Sequence, residues 1–352
     1  MRVLTRGDVR ACLTDIDPVA VVEDALRLHS QGHSILPSEA YLPWQNSQSA
    51  YCRSLAMPGA LGTGPRRVIG LKVINAAVSN PRAGLARAGG FTVLFDHETG
   101  RPRLFAEGAL ISALRTAAYT MVSLRHLGPP APETVAMIGC GNLGLVHAGL
   151  LRRYAPTVRH LRLFDVRPEA AEELSRVWTA DGNRTASMCA TVRQALAGAE
   201  VVITQTTSND PYIETSWLDE RAFVAHVSLD DLCADVFTDA AAIYVDDVTL
   251  VEENPRRILG ALLQDGTVVR SPYGAVGPSI TGTLGEVLCG TVEAIRPIAG
   301  RVISNPFGMS ILDLALLQQT AEIAAKRNAG VFVDLTVEIS AADLLSLGSE
   351  TD

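Results

Sequence analysis

Two kinds of hydrophobic spacing divide the chain. Near the start, Val19, Val22 and Leu26 recur at helical intervals, with Asp17-Pro18 before them and Gly32 after them, so the pattern predicts one capped helix. Short apolar runs then take over. Leu42 to Trp44, Ser49 to Leu55, Val68 to Ala76, Phe91 to Asp96 and Arg103 to Gly108 read as strands; Pro58-Gly59 is expected to break the chain, and the last two runs face each other across the turn HETGRP. Residues 79–90, SNPRAGLARAGG, read as a loop, and Glu107-Gly108 opens a helix that runs to Leu127.

From Thr134 the pattern becomes an alternation of strands and amphipathic helices, which predicts a parallel sheet. The strands fall at Thr134 to Ile138, Leu161 to Phe164, residues 187–190, Val201 to Thr207, Phe223 to Leu229 and Ala241 to Asp247. Helices are expected at Leu143 to Tyr154, Pro168 to Thr179, Thr191 to Ala199, Asn254 to Asp265 and Leu284 to Ile295, with a glycine-rich loop at residues 271–282. A strand at Arg301 to Ser304, a turn at Asn305-Pro306 and a long amphipathic helix follow; the residues from Val331 add a strand and a short helix, or an acidic tail. The proline-rich tract at residues 128–133, GPPAPE, is the clearest hinge, and a domain boundary is placed there.

The strand at Thr134 runs straight into Gly139-Cys140-Gly141-Asn142-Leu143-Gly144, the spacing G-x-G-x-x-G, and then into a helix. That order turns backbone N–H groups and the positive end of a helix toward a pyrophosphate. The next strand ends at Asp165, placed to accept hydrogen bonds from a ribose 2′-OH. A carboxylate there favours NAD over NADP, and Arg167 tempers this by offering a cation to a 2′-phosphate or a plane to the adenine. Thr206, after the fourth strand of this half, is expected to approach the cofactor.

Composition narrows the class. At 352 residues, with 47% hydrophobic and 19% charged side chains, the chain is globular and long enough for two domains. A net charge of −8 without a basic block argues against nucleic acid as partner. The charged N-terminus has no signal-peptide pattern and no run is long enough to cross a membrane, so a cytoplasmic location is expected. The six cysteines form no C-x-x-C pair and the histidines no ligand spacing; neither disulfides nor a metal are expected.

Some polar residues stand out against their surroundings. Lys72 lies in the middle of an apolar strand, where an ammonium either reaches the edge or meets an anion. Asp230 and Asp231 end a strand of the parallel sheet, the end where ligands gather, although N-capping a helix is the ordinary task of an aspartate there. His226 reads as a packed strand residue, and Glu107 as a carboxylate at a helix N-terminus, with contact to a substrate amine as the alternative.

Taken together, GLKVIN around Lys72, GGFTVLFDHETGRPRLFAEG, ISALRTAA around Arg115, IGCGNLG and NPFGMSILDLALLQ resemble the ornithine cyclodeaminase/mu-crystallin family. The resemblance spans about Arg53 to Gln319. It implies an α/β protein in which a Rossmann domain, residues 128–304, is inserted into a smaller α+β substrate-binding and dimerisation domain made of residues 1–127 and a C-terminal helix within 305–352. It implies NAD, a small amino-acid-derived substrate and a homodimer. Arg53, Lys72 and Arg115 would hold substrate carboxylates, with Lys72 also close to the chemistry; Asp231, favoured over Asp230, would handle protons; and Thr116 would join the cofactor residues.

HVSLDDLCADVFTDAAAIYVDD and SNPFGMSILDLAL are most similar to the branch that oxidises N-(1-amino-1-carboxyl-2-ethyl)-glutamate to 2,3-diaminopropionate and 2-oxoglutarate. Cyclodeaminases carry an aspartate followed by a Pro-Gly-Lys-type segment where this chain continues Leu232, Cys233, Ala234. Cyclodeamination, ketimine reduction and non-catalytic dinucleotide binding of the mu-crystallin kind are the alternatives.

Overall fold

The computed structural model describes residues 1–270, 277–298, 300–335 and 340–341. The first part of the chain supplies strands β1 (Arg2–Leu4), β2 (Ser34–Ile35), β3 (Ala40–Gln45), β4 (Tyr51–Leu61), β5 (Val68–Ala77), β6 (Ala88–Phe95) and β7 (Pro102–Glu107), and helices α1 (Arg6–Leu13), α2 (Pro18–Ser30) and α3 (Ala109–Leu127). Asp17 caps α2 as expected, accepting from the N–H groups of Val19 and Ala20. Glu107 caps α3, accepting from Ala109 and Leu110 N–H at 3.1 Å each.

The second part alternates β8 (Thr134–Ile138), α4 (Asn142–Tyr154), β9 (His160–Phe164), α5 (Pro168–Thr179), β10 (Thr185–Met188), α6 (Val192–Leu196), β11 (Val201–Thr204), β12 (Phe223–His226), α7 (Ala234–Thr238) and β13 (Ala242–Val245). It continues with α8 (Val248–Glu252), α9 (Ile258–Gln264), β14 (Val269–Arg270), β15 (Ser279–Thr283), α10 (Leu284–Cys289) and β16 (Val302–Ser304). Then α11 (Ser310–Arg327) returns across the first sheet, and β17 (Val331–Phe332) pairs with β1.

The strands form two sheets. One runs β17-β1-β7-β6-β5-β4-β2, with β3 also on β4; the other runs β10-β9-β8-β11-β12-β16-β13-β15-β14, every neighbouring pair parallel. Buried side chains such as Val201, Ile203 and Phe223 fill the parallel sheet, which is why its strands read as unbroken apolar runs.

The structure corrects several boundaries. Pro58-Gly59 does not break the chain but lies within β4. Its missing N–H costs little there, because Pro58 falls between the stretch of β4 paired with β3, ending at Ala56, and that paired with β2, starting at Ala60. Part of the expected 79–90 loop, Ala88 to Gly90, is already strand β6. The strand expected at 187–190 starts earlier, at Thr185. Helix α9 begins only at Ile258, beyond Pro255, and α10 stops at Cys289, where Gly290 turns left-handed at φ +74°. Ser279 to Gly282, expected in a loop, belong to a strand that runs to Thr283; residues 271–276 and most of the expected terminal helix lie outside the described residues.

Candidate active site

The turn after β8 is shaped by its glycines. Gly139 has φ +93°, and a Cβ there would stand 2.8 Å from the Gln205 carbonyl oxygen. At Gly144 a Cβ would press on Gln205, Gly139 and Leu174 at 3.1 Å, so this glycine lets α4 lie close to the sheet. Gly141, the N-cap of α4, differs from both. It has no side-chain cap, and a Cβ on it would meet only the tip of Arg167 at 3.9 Å. The N–H groups of Asn142, Leu143 and Gly144 thus open an α-helix behind an unobstructed backbone, an arrangement that fits a dinucleotide pyrophosphate.

Asp165 ties the two neighbouring turns together. Its Oδ2 accepts from Cys140 N–H at 2.7 Å and its Oδ1 from Arg167 N–H at 2.8 Å. Burial and the Asp165 carboxylate push the Cys140 thiol up to about 12, which leaves it inert. The Arg167 side chain is 57% exposed with Nε 3.9 Å from Asp165, free to swing over a nucleotide.

A second cluster forms where α11 crosses the first sheet. Gly59 and Gly70 are cross-strand partners, and side chains on them would collide with Ser310 and Leu314 of α11, 2.6 Å away in each case. The helix therefore sits close enough for Asp313 to reach the sheet. Its Oδ2 accepts from Lys72 Nζ at 3.0 Å and lies 3.1 Å from Arg115 Nε on α3. Lys72 also donates to Ser112 Oγ at 2.9 Å. Burial, then the neighbouring Arg115, lowers the Lys72 ammonium to about 8 against the pull of Asp313. Two cations share one carboxylate, leaving an excess positive charge. Thr92 Oγ1 and Asp313 Oδ1, both buried at this spot, have no partner among the described residues.

Arg53 shares this face of the sheet. It pairs with Ala76, four residues along β5 from Lys72, so the two side chains project to the same side. Burial and the Arg257 guanidinium lower its pKa, and no acidic partner of Arg53 occurs among the described residues. Thr116 follows Arg115 and donates its hydroxyl to the Ser112 carbonyl at 2.8 Å.

The third cluster surrounds Asp231, which is wholly buried after β12. Thr206 Oγ1 donates to its Oδ1 at 2.5 Å, and Ser228 Oγ donates to Oδ2. The Tyr212 hydroxyl lies beside the carboxylate, and burial raises the Asp231 pKa above the usual carboxylate value. Thr206 is thus occupied by Asp231. Asp230 faces elsewhere: it pairs with Arg257 and accepts from Ile258 N–H at 3.4 Å, bracing the start of α9.

One loop joins the second and third clusters. Asp246 accepts from the N–H groups of Phe307 and Gly308 at 2.8 and 2.6 Å, and Gly308, at φ +108°, is packed so closely that a Cβ would lie 3.1 Å from Arg115 Nη1. Three residues earlier, Asn305 Oδ1 accepts from His226 Nδ1 at 2.6 Å, below Asp231. Sequence reasoning gave no role to Asp313, Tyr212, Ser228, Asp246 or Asn305. Asp313 carried a usable signal, an acid inside the apolar stretch Ile311 to Leu317 that matches the odd lysine in β5.

A glycine-turn Rossmann sheet joined to a second sheet that buries a cation cluster defines the class of a dinucleotide-binding protein. The chain belongs to the ornithine cyclodeaminase/mu-crystallin family, whose model matches residues 2–328. A Staphylococcus aureus N-((2S)-2-amino-2-carboxyethyl)-L-glutamate dehydrogenase is 27% identical, over 95% of this chain and 98% of the relative. The crystal structure of CmnK is 48% identical with a TM-score of 0.89, covering 96% of this chain and 99% of that one. An archaeal alanine dehydrogenase dimer with bound NAD shares the fold at 24% identity and a TM-score of 0.80, covering 95% and 99%.

Proposed function

We propose that the protein is an NAD-dependent oxidoreductase acting on the CH–NH bond of an N-substituted amino acid, and that its substrate is N-(1-amino-1-carboxyl-2-ethyl)-glutamate. The observation that carries the reading is the shared carboxylate: Asp313 holds Lys72 and Arg115 together with one positive charge in excess. A substrate carboxylate completes that charge balance. The similarity over nearly the full length to the S. aureus glutamate-derivative dehydrogenase supports the finer assignment.

Gly139, Gly141, Asn142, Leu143 and Gly144 hold the pyrophosphate, and Asp165 binds the adenine ribose and disfavours a 2′-phosphate. NAD, when bound, supplies the hydride acceptor. Lys72 and Arg115 fix the carboxylate at the reacting carbon, and Arg53 reaches a further carboxylate along the same face. Asp231, raised in pKa by its burial, takes the proton from the secondary amine and then orients the water that hydrolyses the imine. The balance is substrate, NAD⁺ and water giving 2-oxoglutarate, 2,3-diaminopropionate, NADH and a proton.

Residues 1–127 with α11 form the substrate-binding and dimerising part in this reading, and residues 128–304 the cofactor part. The test is NADH formation with the secondary amine as substrate. Stoichiometric NADH, 2-oxoglutarate and diaminopropionate support the proposal; ammonia release without NADH accumulation would overturn it in favour of cyclodeamination.

A further inference from the structure

The Asp231 carboxylate stands on a turn that its own residues do not favour. Leu229 has φ +74°, a left-handed backbone that a non-glycine residue adopts only at a cost. The turn is held from beneath by an imidazole. His226, fully buried at the end of β12, receives the Asp231 N–H at Nε2 over 3.0 Å and the Leu232 N–H at 3.4 Å. An amide N–H can only donate, so Nε2 carries no proton and the ring is the Nδ1–H tautomer. That N–H donates to Asn305 Oδ1 at 2.6 Å. Asn305 is itself anchored, its backbone N–H donating to the Tyr244 carbonyl at 2.8 Å, and it begins the loop that delivers Gly308 to Arg115.

We propose that His226 and Asn305 are positioning residues: the neutral Nδ1–H imidazole, its tautomer set by Asn305, holds the strained Ser228 to Asp231 turn so that the Asp231 carboxylate faces the reacting amine. The inference rests on the role given to Asp231 above. It also links the Asp231 turn to the Arg115 pocket through one loop.

The surroundings keep this ring neutral. Burial lowers it to about 4, Asn305 opposes that shift, and Arg257 adds to it. Arg257 is paired with Asp230, Asp231 lies on the turn above, and α7 presents the Phe237 ring, 5.8 Å away. A protonated ring would present an N–H to the Asp231 N–H, two donors face to face, and the turn would lose its support.

Three variants and one spectroscopic measurement test this. His226→Gln keeps an acceptor near the position of Nε2, whereas His226→Leu removes it and leaves a buried N–H unpaired, so the leucine variant loses about tenfold to a hundredfold more kcat than the glutamine variant, with KM little changed. Asn305→Asp stabilises the imidazolium, so kcat should fall with decreasing pH across the neutral range, where the wild type is flat. Nitrogen chemical shifts of His226 in the ligand-free protein should show the neutral Nδ1–H tautomer in the wild type and a charged ring in Asn305→Asp.

Equal losses in the Gln and Leu variants, or an Asn305→Asp enzyme with an unchanged pH profile and a neutral ring, would overturn the inference. The shifts are read without substrate. They therefore stand if the wild type makes no NADH from the secondary amine, the result that sinks the proposed function instead.

Discussion

Lys72 Nζ lies 3.0 Å from Asp313 Oδ2, a contact between an interior strand of one sheet and helix α11 crossing it, 241 residues apart in sequence. Both side chains are almost entirely buried, and Arg115 leans on the same oxygen. Removing the carboxylate strands two cations out of water. Asp313→Ala is expected to cost about 3–5 kcal/mol, the usual penalty for breaking a buried pair. Urea denaturation of the variant measures it; a midpoint shift of only a few tenths of a molar would show that the pocket relaxes and admits water.

The same cluster sets the alkaline side of the pH profile. Lys72 holds a carboxylate only as ammonium, and its pKa is lowered to about 8, so half of that charge is gone there. kcat/KM should therefore decline above about pH 8, and the acid side should be governed by Asp231, above the ordinary carboxylate range. Lys72→Arg carries a charge that does not titrate in this window. Its residual activity should lack the alkaline decline; a decline that persists unchanged would assign that limb to another group.

The parallel sheet, the glycine turn and the strand containing Lys72 were legible because each is a local signal: apolar runs of strand length, glycines at fixed offsets, one cation in an apolar run. What escaped is non-local. Gly59 and Gly70 are groove-forming partners of α11, but along the chain Pro58-Gly59 resembles a break. Asp230 and Asp231 are adjacent and chemically identical, and only the fold separates them, one onto Arg257 and the other into Thr206, Ser228 and Tyr212. Asn305 meets His226 across 79 residues. Ser279 to Thr283 became a strand because β13 and β14 flank it, a pairing that its Thr-Gly-Thr composition does not announce.

Gly139 and Gly141 should respond differently to the same added methyl. Alanine at 139 must keep φ +93° against the Gln205 carbonyl, which costs about 1–3 kcal/mol of stability. Alanine at 141 meets almost nothing in the protein, and if the α4 N-terminus holds the pyrophosphate as proposed, its methyl stands in the way. Gly141→Ala is thus expected to melt like the wild type and bind NADH at least about tenfold more weakly, as judged by fluorescence titration. Equal affinity in the two proteins would remove Gly141 from the cofactor site.

The last prediction concerns the face of the first sheet turned away from Lys72. Register places Ala56, Val73 and Phe91 in one cross-strand row, with Pro58, Leu71, Val93 and Phe105 in the next on the same side. Phe91 and Phe105 stack at 4.9 Å. Leu42 and Trp44, on the edge strand β3, are 63% and 44% exposed, and Val73 is half-buried. Helices α3 and α11 lie on the opposite side, with Arg115 and Asp313; Ser54 and Asn75 continue the Leu42 row and Glu107 the Phe91 row, and no helix among the described residues covers the apolar part of this face. A second copy of the sheet is the expected cover, since a homodimer buries such a face against itself. Val73→Glu places a charge in the middle of the row without touching the Lys72 side, where alternation puts the neighbouring residues. Light scattering after size exclusion should give a dimer for the wild type and a monomer for the variant, with the parallel sheet intact by circular dichroism. A variant that remains dimeric would move the interface off this sheet.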